Sequence, residues 1–260
     1  MKNLLISLTA TGYALLAFSL NAQQVERVDP FFADGGSYDP SIPKPETVIG
    51  HPLGHRIARN DLLVAYMRTI ANLSPRITVQ DIARTHEGRP ILGLTITSPE
   101  NHARIDEIKA AHVALSDPES AQEVSEDMPV ITWLNYGVHG AEVSSTDSSM
   151  AVAYHLAAAQ GPEIEETLEN SVIILIAVFN PDGNSRMSAW NHMNGGYVSV
   201  SDPEHRLHNT FWPGGRTNHY WFDLNRQWLI IQHPEPRGWV AKFREWRPNI
   251  TVDYHEMGSA

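Results

Sequence analysis

Three apolar runs limit the fold more than any other feature of this chain: PVITWLNYG from Pro129, VIILIAVF from Val172 and NITVDYH from Asn249. Each has the length of a strand and is rich in β-branched residues, and the segments between them, STDSSMAVAYHLAAA and PRGWVAKFREW, read as helices. Strands that are apolar on both faces must be covered on both faces. The expectation is therefore an α/β fold with a mostly parallel mixed sheet flanked by helices on both sides.

The rest of the chain fits one such domain. Asn60 to Asn72 places Leu62, Leu63, Tyr66, Met67 and Ile70 at helical spacing, with Asn60 or Asp61 able to cap the first turn. RITVQDIAR and ILGLTIT read as two strands joined by a turn at THEGRP, Pro99 to Leu115 as helix, and Ser116 to Asp127 as an acidic loop. Asn184 to Tyr220 reads as one long loop whose aromatic and histidine content suits a folded lining near a site. Its His192, His205, His208 and His219 are expected to be loop hydrogen-bonders, and His51 and His55 to flank a Pro-Gly turn.

Residues 1–22 have the layout of a secretory signal, with Lys2, an apolar stretch from Leu4 to Leu20 and a small residue at Ala22. Thr9, Thr11, Gly12, Ser19 and Asn21 dilute that stretch below a membrane span. A secreted or periplasmic protein, with no stable membrane anchor after signal cleavage, is expected. Residues 23–52 read as an extended lead-in lying over the domain, and residues 53–260 as the functional domain. A net charge of -11 argues against nucleic acid as a partner. The absence of cysteine removes thiol nucleophiles and Cys-ligated metals, so any metal must sit on His, Asp or Glu.

Ligands of open α/β sheets bind beyond the carboxyl ends of the strands, and here the polar residues gather at those ends. PVITWLNYG runs into Val138-His139-Gly140-Ala141-Glu142, VIILIAVF into Asn180-Pro181-Asp182-Gly183, and NITVDY into His255-Glu256. If the strands are neighbours, His139, Glu142 and His255 share one rim. His139 and Glu142 are three apart and share a face of a helical turn, and a second histidine would complete the His₂Glu set of catalytic zinc sites. The same H-x-x-E spacing also arises from a loop histidine followed by a helix-start carboxylate. Asp253 could orient a histidine ligand or serve a neighbouring backbone group. A G-x-S-x-G elbow and a Walker-type loop are both missing from the sequence. His255-Glu256-Met257-Gly258-Ser259 starts like H-E-x-x-H but has Ser259 in place of the second histidine.

Four ordered motifs, His139-x-x-Glu142, Asn180-Pro181-Asp182-Gly183, Asp223-Leu224-Asn225-Arg226 and Asp253-x-His255, together resemble the zinc carboxypeptidase family of the carboxypeptidase A type. The resemblance runs from about Tyr66 to the last residue and includes Glu87-Gly88-Arg89-Pro90. It implies a metallocarboxypeptidase with one zinc ion on His139, Glu142 and His255, acting on peptide or protein C-termini. Asn225 and Arg226 match the residues that hold the terminal carboxylate. Arg186 is the candidate for the arginine that polarises the scissile carbonyl, with Arg206 and Arg216 as alternatives in the same loop; an ion pair between Arg186 and Asp182 is its other reading, as a surface arginine is for Arg226. The family's general-base glutamate lies well downstream of the last zinc ligand, and Glu256 is expected on the opposite face of its strand. The expectation is thus the N-terminal portion of a longer enzyme, with the base outside this chain and the sheet incomplete at the C-terminus. Two other functions fit the same residues: a zinc deacylase of N-acyl amino acids, and a non-catalytic, zinc-dependent module that binds peptide C-termini.

Overall fold

A computed structural model of the chain describes residues 36–257 except 121, 122, 124, 126, 197 and 199, so the signal segment and the first part of the lead-in fall outside the described residues. In chain order the first half forms β1 (Ser37–Tyr38), α1 (Pro45–Ile49), α2 (Asn60–Leu73), β2 (Ile77–Arg84), β3 (Pro90–Ile96), α3 (Pro99–Ala103), α4 (Ile105–Leu115) and β4 (Val130–Asn135). The second half forms α5 (Val143–Ala158), β5 (Ala159–Gln160), α6 (Pro162–Glu169), β6 (Ser171–Ile176), α7 (Pro181–Asn194), α8 (Pro234–Trp246) and β7 (Ile250–Asp253).

The main sheet has five strands in the order β2-β3-β6-β4-β7. β4 pairs in parallel with both β6 and β7, while β3 is antiparallel to β2 and β6. The sheet is mixed, and β3 alone among the five runs against the rest. Burial on both faces explains the apolar runs. Along β6, Val172, Ile174 and Ile176 enter the core on one face with Ile131, Trp133 and Trp246, whereas Ile173 and Leu175 enter the other with Tyr66, Met67, Met150 and Tyr154. α2 and α5 cover the second of these faces; α4 and α8 cover the first. No helix among the described residues is long and apolar enough to cross a membrane.

Two stretches differ from the sequence expectation. The lead-in contributes to the core: β1 pairs with β5, Tyr38 stacks on Tyr154, and Ile42 and Ile49 are buried. The long loop expected over 184–220 begins as helix, since α7 runs to Asn194. Pro181 opens α7 and the Asn180 side chain caps it by accepting from the Gly183 N–H at 3.0 Å. Its inward residues are Asp182, Gly183, Asn184 and Ser188, so no apolar stripe marks the helix in the sequence.

Two of the motifs brace each other rather than reach the site. Asp182 is fully buried; its Oδ1 accepts from Thr85 Oγ1 at 2.7 Å and from Arg89 Nη1 at 2.8 Å. The β2–β3 turn is thereby tied to the start of α7. Removing Arg89 would leave a buried carboxylate without its counter-ion, a loss of about 3–5 kcal/mol. Arg89→Ala is expected to lower unfolding stability by that amount in urea denaturation, with Arg89→Lys recovering part of it.

Candidate metal centre

His139 and Glu142 sit on the turn that joins β4 to α5, and two glycines shape it. Gly137 has φ +66°, and a Cβ on Gly140 would fall 2.1 Å from the Asn184 backbone nitrogen, so this turn lies directly against α7. Ser145 locks it from inside α5, its hydroxyl accepting from the Gly137 N–H at 3.2 Å and donating to the Glu142 carbonyl at 2.8 Å. His255 follows β7 by two residues. Because β7 is the direct neighbour of β4, the last histidine reaches the same rim.

Glu142 meets both imidazoles. Its Oε1 lies 2.7 Å from His139 Nδ1 and its Oε2 lies 2.9 Å from His255 Nδ1. The outer nitrogens face carboxylates as well: His139 Nε2 is 2.9 Å from Asp223 Oδ1, and His255 Nε2 is 2.9 Å from Asp253 Oδ2. An ionised carboxylate only accepts, and both nitrogens of each ring face one, so a neutral ring with a single N–H leaves one of its two carboxylates without a donor. Protonating the rings relieves this, and so does a cation between Glu142 and the two Nδ1 atoms. The three ligand-type atoms lie within 4.8 Å of one another. Two imidazoles and one carboxylate, each imidazole held by an outer carboxylate, form the donor set of a catalytic zinc site.

The charges respond accordingly. Burial opposes ionisation of Glu142, but His255, the Glu256 N–H and His139 outweigh it and hold the carboxyl below its usual range. Asp223 is likewise lowered against its burial, chiefly by His139. For His255, burial works against the charged ring, yet Glu142 and Asp253 raise its pKa above the ordinary imidazole value.

The three arginines separate clearly. Arg186 spends Nε and Nη2 on backbone carbonyls, Nε donating to Gly214 at 2.8 Å and Nη2 to Thr217 and to Asn218, at 3.0 Å in the latter case, while Nη1 lies 4.0 Å from Glu87 Oε1. The ion pair with Asp182 is made by Arg89 instead. Arg206 lies over the Trp190 ring, 5.2 Å from its centroid. Arg216 is the arginine at the centre, with Nη2 3.1 Å from Asp223 Oδ2 and Nη1 3.5 Å from Glu142 Oε1, and its side chain is 52 % exposed. Arg186 therefore grips the loop that carries Arg216.

Asn225 and Arg226 lie on a short 3₁₀ turn, Leu224–Arg226, capped by Asp223. The Asn225 side-chain oxygen accepts from Trp228 Nε1 at 2.8 Å, and its amide nitrogen is 3.4 Å from His255 Nε2. Arg226 is exposed and donates to the Asn225 carbonyl at 3.1 Å, with no ion pair among the described residues. Glu256 turns away from the three ligands, as its Oε1 accepts from Ser144 N and Oγ at 2.7 and 2.6 Å. Of the other histidines, His192 contacts the Ile57 carbonyl at 2.8 Å, His208 that of Val200 at 2.7 Å, His205 the Leu207 N–H at 3.1 Å, and His51 the Pro52 carbonyl at 3.0 Å. His219 instead faces Glu87 Oε1 at 3.0 Å. Sequence reasoning gives Asp223 no role of its own; its place two residues before Asn225 is the only signal it carries.

Two histidines and a glutamate that could hold a metal ion thus meet at the carboxyl rim of a mixed α/β sheet. The family model described as zinc carboxypeptidase matches residues 63–258, and the chain belongs to that family. A search of curated proteins finds no match. Among solved structures, a carboxypeptidase A from Helicoverpa armigera aligns at 14 % identity and TM-score 0.49 over 83 % of this chain and 52 % of its own. A metallo-carboxypeptidase from Burkholderia cenocepacia aligns at 17 % identity and TM-score 0.48 over 76 % of this chain and 40 % of its own. One from Pseudomonas aeruginosa aligns at 18 % identity and TM-score 0.47 over 78 % of this chain and 40 % of its own. The chain thus spans about two fifths to one half of the length of these proteins.

Zinc uptake should weaken as the pH falls. The raised pKa of His255 means that its ring takes up a proton, and ceases to be a ligand, already above the ordinary imidazole range; Glu142, held low, stays ionised much further into acid. Competition titrations from about pH 8 to about pH 5 are expected to show affinity declining from the start of that range. Asp223→Asn, which removes the charged partner of His139 Nε2, should weaken zinc about 10- to 100-fold at fixed pH.

Proposed function

We propose that this chain carries the metal- and carboxylate-binding part of a zinc-dependent metallocarboxypeptidase that hydrolyses C-terminal peptide bonds, with one zinc at the catalytic centre. The observation that supports this most is the convergence of Glu142 with His139 Nδ1 and His255 Nδ1, together with an exposed arginine, Arg226, that has no ion pair among the described residues. When bound there, zinc supplies a nucleophilic water near neutrality and polarises a carbonyl oxygen. The remaining work falls to the chain's own residues. Asp223 and Asp253 hold the outer nitrogens of the two imidazoles and so orient Nδ1 of each ring toward Glu142. Arg226 offers a planar fork to a terminal carboxylate, and Asn225 adds an amide donor beside it.

In the role of stabilising the developing oxyanion we place Arg216, not Arg186. Arg216 is anchored by Asp223 and half exposed, whereas the Arg186 guanidinium is consumed by loop carbonyls. The carboxylates that touch the centre are committed: Asp223 and Asp253 to imidazoles, Glu256 to the start of α5. The general base is accordingly assigned to a glutamate outside these residues. Peptide and protein C-termini are the proposed partners, and residues 1–22 are the basis for a secreted or periplasmic location.

Peptides with a free C-terminal carboxylate, their C-terminal amides and N-acyl amino acids test this reading when offered to the zinc-loaded enzyme in the longer form that carries the proposed base. Release of the last residue from free-acid peptides, and not from the amides, is expected. Turnover confined to N-acyl amino acids would select the deacylase, and zinc-dependent peptide binding without product would select the binding module. Arg226→Ala should weaken free-acid peptides about 10- to 100-fold, the scale of a hydrogen bond to a charged group, and leave the amides unchanged.

A further inference from the structure

A second group of ligand-type side chains lies where the β2–β3 turn meets the start of α8. His86 comes from the turn, His233 is the N-cap residue of α8 and Glu235 lies in its first turn. His86 Nε2 is 3.0 Å from His233 Nδ1, and the two rings stand at 84° with centroids 5.3 Å apart. Glu235 is fully buried and neither carboxylate oxygen has a well-formed hydrogen bond, although the Asn218 amide, whose Nδ2 is also buried without a partner, lies close enough to ease its charge; His233, 7 % exposed, has its Nε2 buried without a partner as well. One ligand atom from each of the three side chains lies within 4.8 Å of the others.

An ionised carboxylate with no partner costs several kcal/mol in a protein interior, and it is relieved by a proton or by a cation. The fully buried Asp182 lies near enough to add to the negative charge on Glu235. The positive end of the α8 macrodipole opposes a cation at this spot, and the Glu235 carboxylate offsets it, Asp182 being already paired with Arg89. Two nitrogen donors and a carboxylate suit a borderline divalent ion, and zinc is the natural probe.

We infer that His86, His233 and Glu235 form a second zinc site, distinct from the His139 centre, which clips the β2–β3 turn to the start of α8. α8 packs on β2, so the ion would join two elements that already touch. Binding there stabilises the folded chain by mass action.

Zinc content per chain, measured by plasma mass spectrometry after equilibration with buffered free zinc, tests the inference, with circular dichroism confirming that each variant is folded. Wild type should bind two ions, His139→Ala one, a His86→Ala/Glu235→Gln double variant one, and all three changes together none. His86 is exposed, so His86→Ala alone should also lose the second ion without disturbing the fold. Equal zinc content in wild type and the double variant would overturn the inference, as would a His139→Ala protein that binds no zinc. A wild type that binds one ion, retained in His139→Ala and lost in His86→Ala, would support this site while removing the proposed catalytic one.

Discussion

Everything at the rim depends on one electrostatic arrangement, two imidazoles each held between two carboxylates. Glu142 alone could not create it. Asp223 and Asp253 face the outer nitrogens of His139 and His255 while Glu142 faces both inner ones. Without those aspartates, a neutral ring could give its one N–H to Glu142 and settle into an ordinary hydrogen bond. With them, a neutral ring leaves one carboxylate without a donor, and the cluster is satisfied by protonating the rings or by a cation.

That arrangement in turn needs the strand order. β4 lies between β6 and β7, so residues from three strand ends that are far apart in sequence reach the same rim. The turn after β4 can approach α7 only because Gly140 has no side chain, and α7 is held in place by Asp182 through Thr85 and Arg89. The motifs at Glu87-Gly88-Arg89 and Asn180-Pro181-Asp182 thus act on the centre indirectly. They fix the backbone against which the His139 turn packs.

The strands, and two of the three side chains that meet at the rim, were legible because their signals are local or repeated. An apolar run such as VIILIAVF records burial on both faces at each position, and the H-x-x-E spacing places two side chains on one turn. Adjacency of β4 and β7 was not encoded locally and stood as a condition until the sheet order supplied it. α7 was hidden because its buried face is made of Asp182, Asn184 and Ser188, which pack against backbone and polar groups instead of oil, so hydrophobic periodicity has nothing to report. Choosing among Arg186, Arg206 and Arg216 was beyond the sequence for a related reason. All three follow the same strand, and only their partners tell them apart: backbone carbonyls, an indole ring and two carboxylates.

The contrast between Arg186 and Arg216 bears on how charge is distributed at the rim. A guanidinium whose donors are spent on three carbonyls of a packed loop cannot leave them without exposing buried acceptors, so Arg186 is fixed. Arg216 is shared between Glu142 and Asp223, with the closer contact to Asp223. A cation seated among the ligands would satisfy the charge of Glu142 and weaken its pull on Arg216, leaving Asp223 as the anchor. Asp223 therefore couples the two halves of the site, holding His139 with Oδ1 and Arg216 with Oδ2. Its two oxygens set the distance between the His139 ring and the Arg216 guanidinium.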